Sequence, residues 1–234
     1  MIQNNGALKH RPYPIGCGAK SNRNNTEKFM NQVRTKICGI TSPEDAYMVA
    51  EAGADAIGLV FYEKSKRFVD IATAQTVVRA LPPFVSVVAL FVNASQVRIQ
   101  EVLAAVPIDV LQFHGDETAD FCRSFGRPYL KAVRVRNTQD ILDAAQAYPD
   151  ARGILFDAHI EGEYGGTGLS FDWQLLPEKI NHHWILSGGL SPENVTQAVK
   201  LTGALAVDVS SGVELVPGIK SKEKVRAFIA NAQL

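Results

Sequence analysis

Short apolar runs alternate with amphipathic segments along most of the chain. Continuous runs rich in Val, Ile and Leu lie at 34–40 (RTKICGI), 54–61, 85–92, 110–115, 129–135, 153–158, 183–189 and 204–212. Each reads as a strand buried on both faces. Between them, residues 42–53, 70–81, 95–106, 116–126, 138–148, 191–203 and 221–232 show helical spacing, and a short helix is expected near 171–180. The punctuation agrees. Ser42 is placed as an N-cap, Pro43 at the first helical position and Gly53 as a stop, and Pro82–Pro83 ends the second helix. Ser191–Pro192–Glu193 reads as another capped helix start.

Eight strands, each followed by a helix or a short helical substitute, predict a parallel sheet covered by helices. About 200 residues for eight units fits an α/β fold of the compact TIM (β/α)8 barrel type. A doubly wound open sheet is the alternative, but its usual GxGxxG turn is absent. Residues 1–33 break the pattern. They are rich in Asn, Gly and Pro, and five basic residues against Glu27 give them a net charge of +4. They read as a disordered basic extension before a single catalytic domain over 34–234. An over-long start, with Met30 as the natural first residue, and a basic targeting segment are the other readings.

The whole chain has no net charge, with 46% hydrophobic and 21% charged residues. Nucleic acid and anionic membrane are therefore not the expected partners. Cys17, Cys38 and Cys122 are too few and too scattered for a disulfide framework or metal-ligand spacing. No metal or cofactor is expected. A reducing cytoplasm is the expected compartment, and a monomer the default state.

In a barrel of this kind the chemistry lies where strands run into loops. Those ends carry Cys38, Arg67, Asn93, Gln112 with His114, Arg134, Asp157, Ser187-Gly188-Gly189 and Asp208-Val209-Ser210-Ser211-Gly212. The last two loops read as a phosphate cradle. Gly188, Gly189 and Gly212 allow close backbone approach, and Ser210 and Ser211 add donors. Cys38 alone would pass for a packed thiol, and Asp157 alone for a turn former. Asp157 closes the apolar run GILF, where partial desolvation favours retaining a proton. Lys36 shares a strand face with Cys38 and is a weak candidate for a cation beside it. Arg67 suits a carboxylate ligand, although Lys64 and Lys66 beside it equally suggest a solvated basic loop. The Gly-rich stretch 159–168 (HIEGEYGGTG) reads as a closing loop or a surface crossing. Cys122 sits on a helix and takes no functional assignment.

The motifs KICGIT, GADAIGLVFYEKSKR, LQFHGDE, GILFDA, YGGTGLSFDW, LSGGLSPENV and AVDVSSGVE, in that order, resemble the phosphoribosylanthranilate isomerase family of tryptophan biosynthesis. The resemblance covers residue 34 to the end. It implies a TIM barrel that performs an Amadori rearrangement of N-(5-phosphoribosyl)anthranilate, a small-molecule substrate, without cofactor. It implies Cys38 as general base and Asp157 as general acid, from opposite sides of the ring. Arg67 is expected on the anthranilate carboxylate, Gln112 and His114 in substrate positioning, and Asp208 on the sugar hydroxyls or iminium. A histidine-pathway isomerase would be expected to end its first strand in aspartate rather than Cys38. A degenerate sensor barrel would be expected to have lost the acid or the base.

Overall fold

The computed structural model describes residues 32–158, 172–177 and 180–234. The expected extension up to residue 31, with Cys17, lies outside these residues, as does the stretch 159–168. Eight parallel strands close into one barrel in sequence order. They are β1 (Arg34–Cys38), β2 (Ala56–Val60), β3 (Ser86–Phe91), β4 (Val110–Phe113), β5 (Tyr129–Val135), β6 (Gly153–Ala158), β7 (Trp184–Leu186) and β8 (Ala206–Val209). Closure is made by β1 on β8, with Lys36 opposite Asp208. Helices α1 (Pro43–Glu51), α2 (Ile71–Arg79), α3 (Gln96–Ala105), α4 (Ala119–Arg123) and α5 (Thr138–Ala147) follow the first five strands. A 3-10 turn, Trp173–Leu175, lies between β6 and β7, and α6 (Val195–Thr202) and α7 (Lys222–Ala232) complete the chain.

The helix starts are set by short polar side chains. Ser42, Asp70, Ser95, Thr118 and Ser221 each accept a backbone N–H from three residues on. Asn137 forms a full capping box with Asp140. The expected start at Ser191 is made: Ser191 Oγ accepts the Glu193 N–H at 3.3 Å, its carbonyl accepts the Val195 N–H at 3.1 Å, and its own N–H donates to Asn194 Oδ1 at 2.8 Å. Asn194 Nδ2 also donates to the Gly189 carbonyl at 2.9 Å, and the regular helix α6 begins at Val195. The stop at Gly53 has φ 96, a backbone conformation suited to glycine.

Strand residues alternate between two apolar layers. Ile37, Ile57, Leu59, Ala89, Phe91, Leu111, Phe113, Ile154 and Phe156 belong to the core beneath the helices. Cys38, Val60, Leu90 and Val92 form a separate buried cluster at the barrel mouth. Val33, assigned by sequence to the extension, is buried, and Gln233 brackets it by accepting its N–H at 3.0 Å and donating to its carbonyl at 2.7 Å. After β8 the chain makes a second 3-10 turn, Ser211–Val213, and then a small antiparallel hairpin of β9 (Glu214–Val216) and β10 (Ile219–Lys220). The hairpin turns at Pro217–Gly218, and Gly218 has φ 88. The apolar pattern did not predict it.

Candidate active site

One cavity opens at the carboxyl ends of the strands. Cys38, Arg67, Gln112, His114, Asp157, Asp208, Gly188, Gly189, Ser210 and Ser211 all line it. Gly212 is set back from it. Its role is clearance, because a Cβ there would lie 2.0 Å from the Leu190 carbonyl oxygen, where the seventh and eighth loops meet. Arg134 lines a separate cleft with Arg136 and Asp140, and Asn93 is tied to the Asp116 backbone at 2.7 Å.

Cys38 ends β1 and is 6% exposed. One glycine makes room for it and a second for Arg67 beside it. Gly58, its partner on β2, would carry a Cβ 2.6 Å from Cys38 Sγ. Gly39, at φ 77, turns the chain away, and a Cβ there would meet Arg67 Cδ at 2.4 Å. Lys36 Nζ lies on the same strand face and donates to Asp208 Oδ1 at 2.8 Å, with both side chains under 10% exposed. Burial works to lower the Lys36 ammonium, but Asp208 and Cys38 outweigh it and hold it above the ordinary lysine value. Burial pushes the Cys38 thiol above its ordinary 9.0, against the pull of Lys36 and Lys220, while Asp208 adds to the rise. The cation suspected from sequence is therefore in place, but it offsets only part of the desolvation.

Asp157 is buried and joined to His114, whose Nε2 lies 3.2 Å from Oδ2. His114 Nδ1 lies 3.5 Å from Gln112 Nε2, so the three side chains form one polar row on β4 and β6. Gln112 Nε2 is an amide donor, so His114 Nδ1 accepts from it and Nε2–H donates to Asp157 Oδ2. Around the barrel β6 stands three places from β1, through β7 and β8, so Asp157 and Cys38 are one place short of the opposite sides expected.

Gly188 and Gly189, after β7, have φ 79 and 65, a left-handed backbone that suits glycine and puts main chain rather than side chain at the cavity wall. Gln112 Oε1 and Ser210 Oγ are buried with no hydrogen-bond partner among the described residues. Both line the cavity, so a ligand there would satisfy them.

Arg67 is held rather than solvated. Its Nε and Nη2 donate to the two carboxylate oxygens of Glu214 at 2.8 and 2.7 Å, whereas Lys64 and Lys66 are exposed. Glu214 also accepts from Lys220 Nζ at 2.7 Å. Burial raises the Glu214 carboxyl, but Arg67 and Lys220 outweigh it and leave it below its ordinary value. Neither Glu214 nor Lys220 was singled out by sequence. The only local signal was the Pro-Gly turn between them.

Fold and mouth together define a class: a (β/α)8-barrel enzyme whose polar side chains converge where its strands run into loops. Residues 35–231 match the family model for N-(5'phosphoribosyl)anthranilate (PRA) isomerase. The N-(5'-phosphoribosyl)anthranilate isomerase of Neisseria meningitidis serogroup A is 60% identical over 203 residues, which is 87% of this chain and 98% of that protein. The crystal structure of phosphoribosyl anthranilate isomerase from Thermotoga maritima superposes with a TM-score of 0.79 at 42% identity, covering 86% of this chain and 98% of that one. A structure of the enzyme in complex with reduced 1-(o-carboxyphenylamino)-1-deoxyribulose 5-phosphate gives a TM-score of 0.73 at 40% identity, covering 86% and 98%. The chain belongs to the PRA isomerase family.

Proposed function

We propose that Cys38 and Asp157 are the base and acid of the family reaction in this chain, which isomerises N-(5-phosphoribosyl)anthranilate to 1-(2-carboxyphenylamino)-1-deoxyribulose 5-phosphate in tryptophan biosynthesis. The observation that carries the assignment is their convergence. A buried thiol and a buried carboxyl line one cavity from separate strands, with the Gly188–Gly189 and Ser210–Ser211 turns lining it between their loops.

The reaction moves one hydrogen from carbon 2 to carbon 1 and loses no atom. Asp157 gives a proton to the furanose ring oxygen, the C1–O bond breaks, and the nitrogen lone pair forms the C1=N iminium. Cys38 thiolate then takes the carbon-2 proton, and the electron pair of that C–H bond passes into an enaminol. Protonation at carbon 1 and loss of the carbon-2 hydroxyl proton give the aminoketone. His114 orients Asp157 and stabilises its carboxylate once the proton has left, and Gln112 supports His114. Asp208 is set toward the positive iminium, with Lys36 tempering its charge. The Gly188–Gly189 and Ser210–Ser211 turns hold the phosphate. Arg67 retains the Nη1/Nη2 edge of its guanidinium for the anthranilate carboxylate.

Every group in this scheme comes from one chain, so the reading needs no second subunit in the site. A thiolate base needs a free thiol, and Cys38 and Cys122 are both free, which supports a reducing, cytoplasmic setting.

The test is turnover of freshly generated phosphoribosylanthranilate, followed as loss of its fluorescence, by the wild type and by Asp157→Asn. Wild-type turnover with a loss of about 10²–10⁴-fold in the variant is expected. Wild-type turnover that Asp157→Asn leaves intact would remove the acid assignment. A wild type that binds a sugar phosphate without turning it over would remove the whole reading.

A further inference from the structure

The hairpin after β8 carries a buried ionic hub that the reaction scheme does not use. Lys220 Nζ has three N–H donors and three acceptors: the Cys38 carbonyl at 2.7 Å, the Ser210 carbonyl at 3.2 Å and Glu214 Oε1 at 2.7 Å. Its side chain is 0% exposed. One ammonium thus fastens the strand end that bears the thiol, the turn that faces the phosphate, and Glu214. Glu214 in turn takes Arg67 side-on through Nε and Nη2. A guanidinium has five N–H donors. With two on Glu214, the outward Nη1/Nη2 edge is fixed in direction and kept for a second carboxylate.

A lone arginine on a loop loses much rotamer freedom on capturing a ligand, whereas one already braced loses little. Packing alone does not account for the arrangement. An apolar hairpin would fill the space without bringing two buried charges, and buried ion pairs are weak contributors to stability.

We infer that Glu214, seated on Lys220, is a positioning residue that aims Arg67, so that the hairpin makes the site selective for an arylamine bearing an ortho carboxylate. The inference rests on the reading of Arg67 as the carboxylate ligand, and its test separates the two. Two stable ligands serve: reduced 1-(2-carboxyphenylamino)-1-deoxyribulose 5-phosphate and its phenylamino counterpart without the carboxyl group. Their Kd values are measured by calorimetry for the wild type, Arg67→Ala and Glu214→Gln.

The wild type is expected to prefer the carboxylated ligand by about thirtyfold, the size of a charge-assisted contact. In Glu214→Gln that preference is expected to fall below about threefold, with the phenylamino ligand bound within about twofold of wild type. A preference kept in full by Glu214→Gln, or an equal weakening of both ligands, overturns the inference and leaves Arg67 standing. A full preference in Arg67→Ala overturns the reading of Arg67, and the inference with it. Should Glu214→Gln fail to fold, Glu214→Asp carries the same comparison. It keeps both charges but is one methylene short of spanning Arg67 and Lys220 together.

Discussion

The proposed base is packed against a residue that has no side chain. Gly58 sits opposite Cys38 on β2, and a Cβ there would meet Cys38 Sγ at 2.6 Å, Cα at 3.0 Å and Cβ at 3.2 Å. Gly58→Ala therefore forces either the thiol out of place or the two strands apart. Overpacking of this kind costs about 1–3 kcal/mol, and replacing a strand glycine by alanine returns about 0.5–1 kcal/mol, so a net loss of up to about 2.5 kcal/mol is expected. For a chain of this size that lowers Tm by up to about 10 °C. The chemical consequence is larger, because a displacement of about 1 Å at a catalytic group can cost about 10²-fold in rate. Calorimetry and the fluorescence assay read the two effects separately. Cys38→Ala removes the sulfur and with it the shortest contact, so Gly58→Ala should cost less stability in that background, with a coupling of at least about 0.5 kcal/mol. Turnover within about threefold of wild type, or the same stability loss in both backgrounds, would refute the reasoning.

Other expectations follow from the same geometry. If Cys38 acts as thiolate, kcat/KM rises with pH beyond the ordinary thiol value of 9.0, because burial holds its pKa up. Lys36 pulls that pKa down and Asp208 pushes it up, so the rising limb should move to higher pH in Lys36→Met and to lower pH in Asp208→Asn. Limbs that stay put, or move the other way, would remove Cys38 as the titrating base. Gly212→Ala drives a methyl group into the Leu190 carbonyl and should separate the two loops proposed to hold the phosphate, raising KM and weakening inhibition by inorganic phosphate, with a smaller change in kcat. An unchanged KM would place the phosphate elsewhere. Cys122 is fully buried with its thiol pushed up to about 12, so it should resist thiol reagents at pH 8 until the protein unfolds. Rapid labelling of Cys122 in the native state would contradict its packing.

The barrel was legible because strands buried on both faces leave unbroken apolar runs, and because the helix caps are local side chains reading their own backbone. The start at Ser191-Pro192-Glu193 was legible for the same reason: Ser191 Oγ accepts the Glu193 N–H and its own N–H donates to Asn194 Oδ1, although the regular helix begins only at Val195. Cys38 and Asp157 stood out because each is a polar residue ending an apolar run. The state of Arg67 was hidden. Its partner Glu214 is 147 residues away, and the strands that carry Glu214 and Lys220 are three and two residues long, too short for a period to show. Lys220 reaches the Cys38 carbonyl across 182 residues, a contact that only barrel closure creates. Ion pairs between distant segments leave no trace in local pattern, so what holds the site was less readable than what lines it.

The most direct test of the central claim pairs rate with binding in Cys38→Ala. The account predicts that kcat for phosphoribosylanthranilate falls by more than about 10²-fold, the contribution of a general base, while reduced 1-(2-carboxyphenylamino)-1-deoxyribulose 5-phosphate binds within about threefold of wild type. A Cys38→Ala protein that binds normally and keeps kcat within about tenfold would contradict it, and the carbon-2 proton would have to leave by another group.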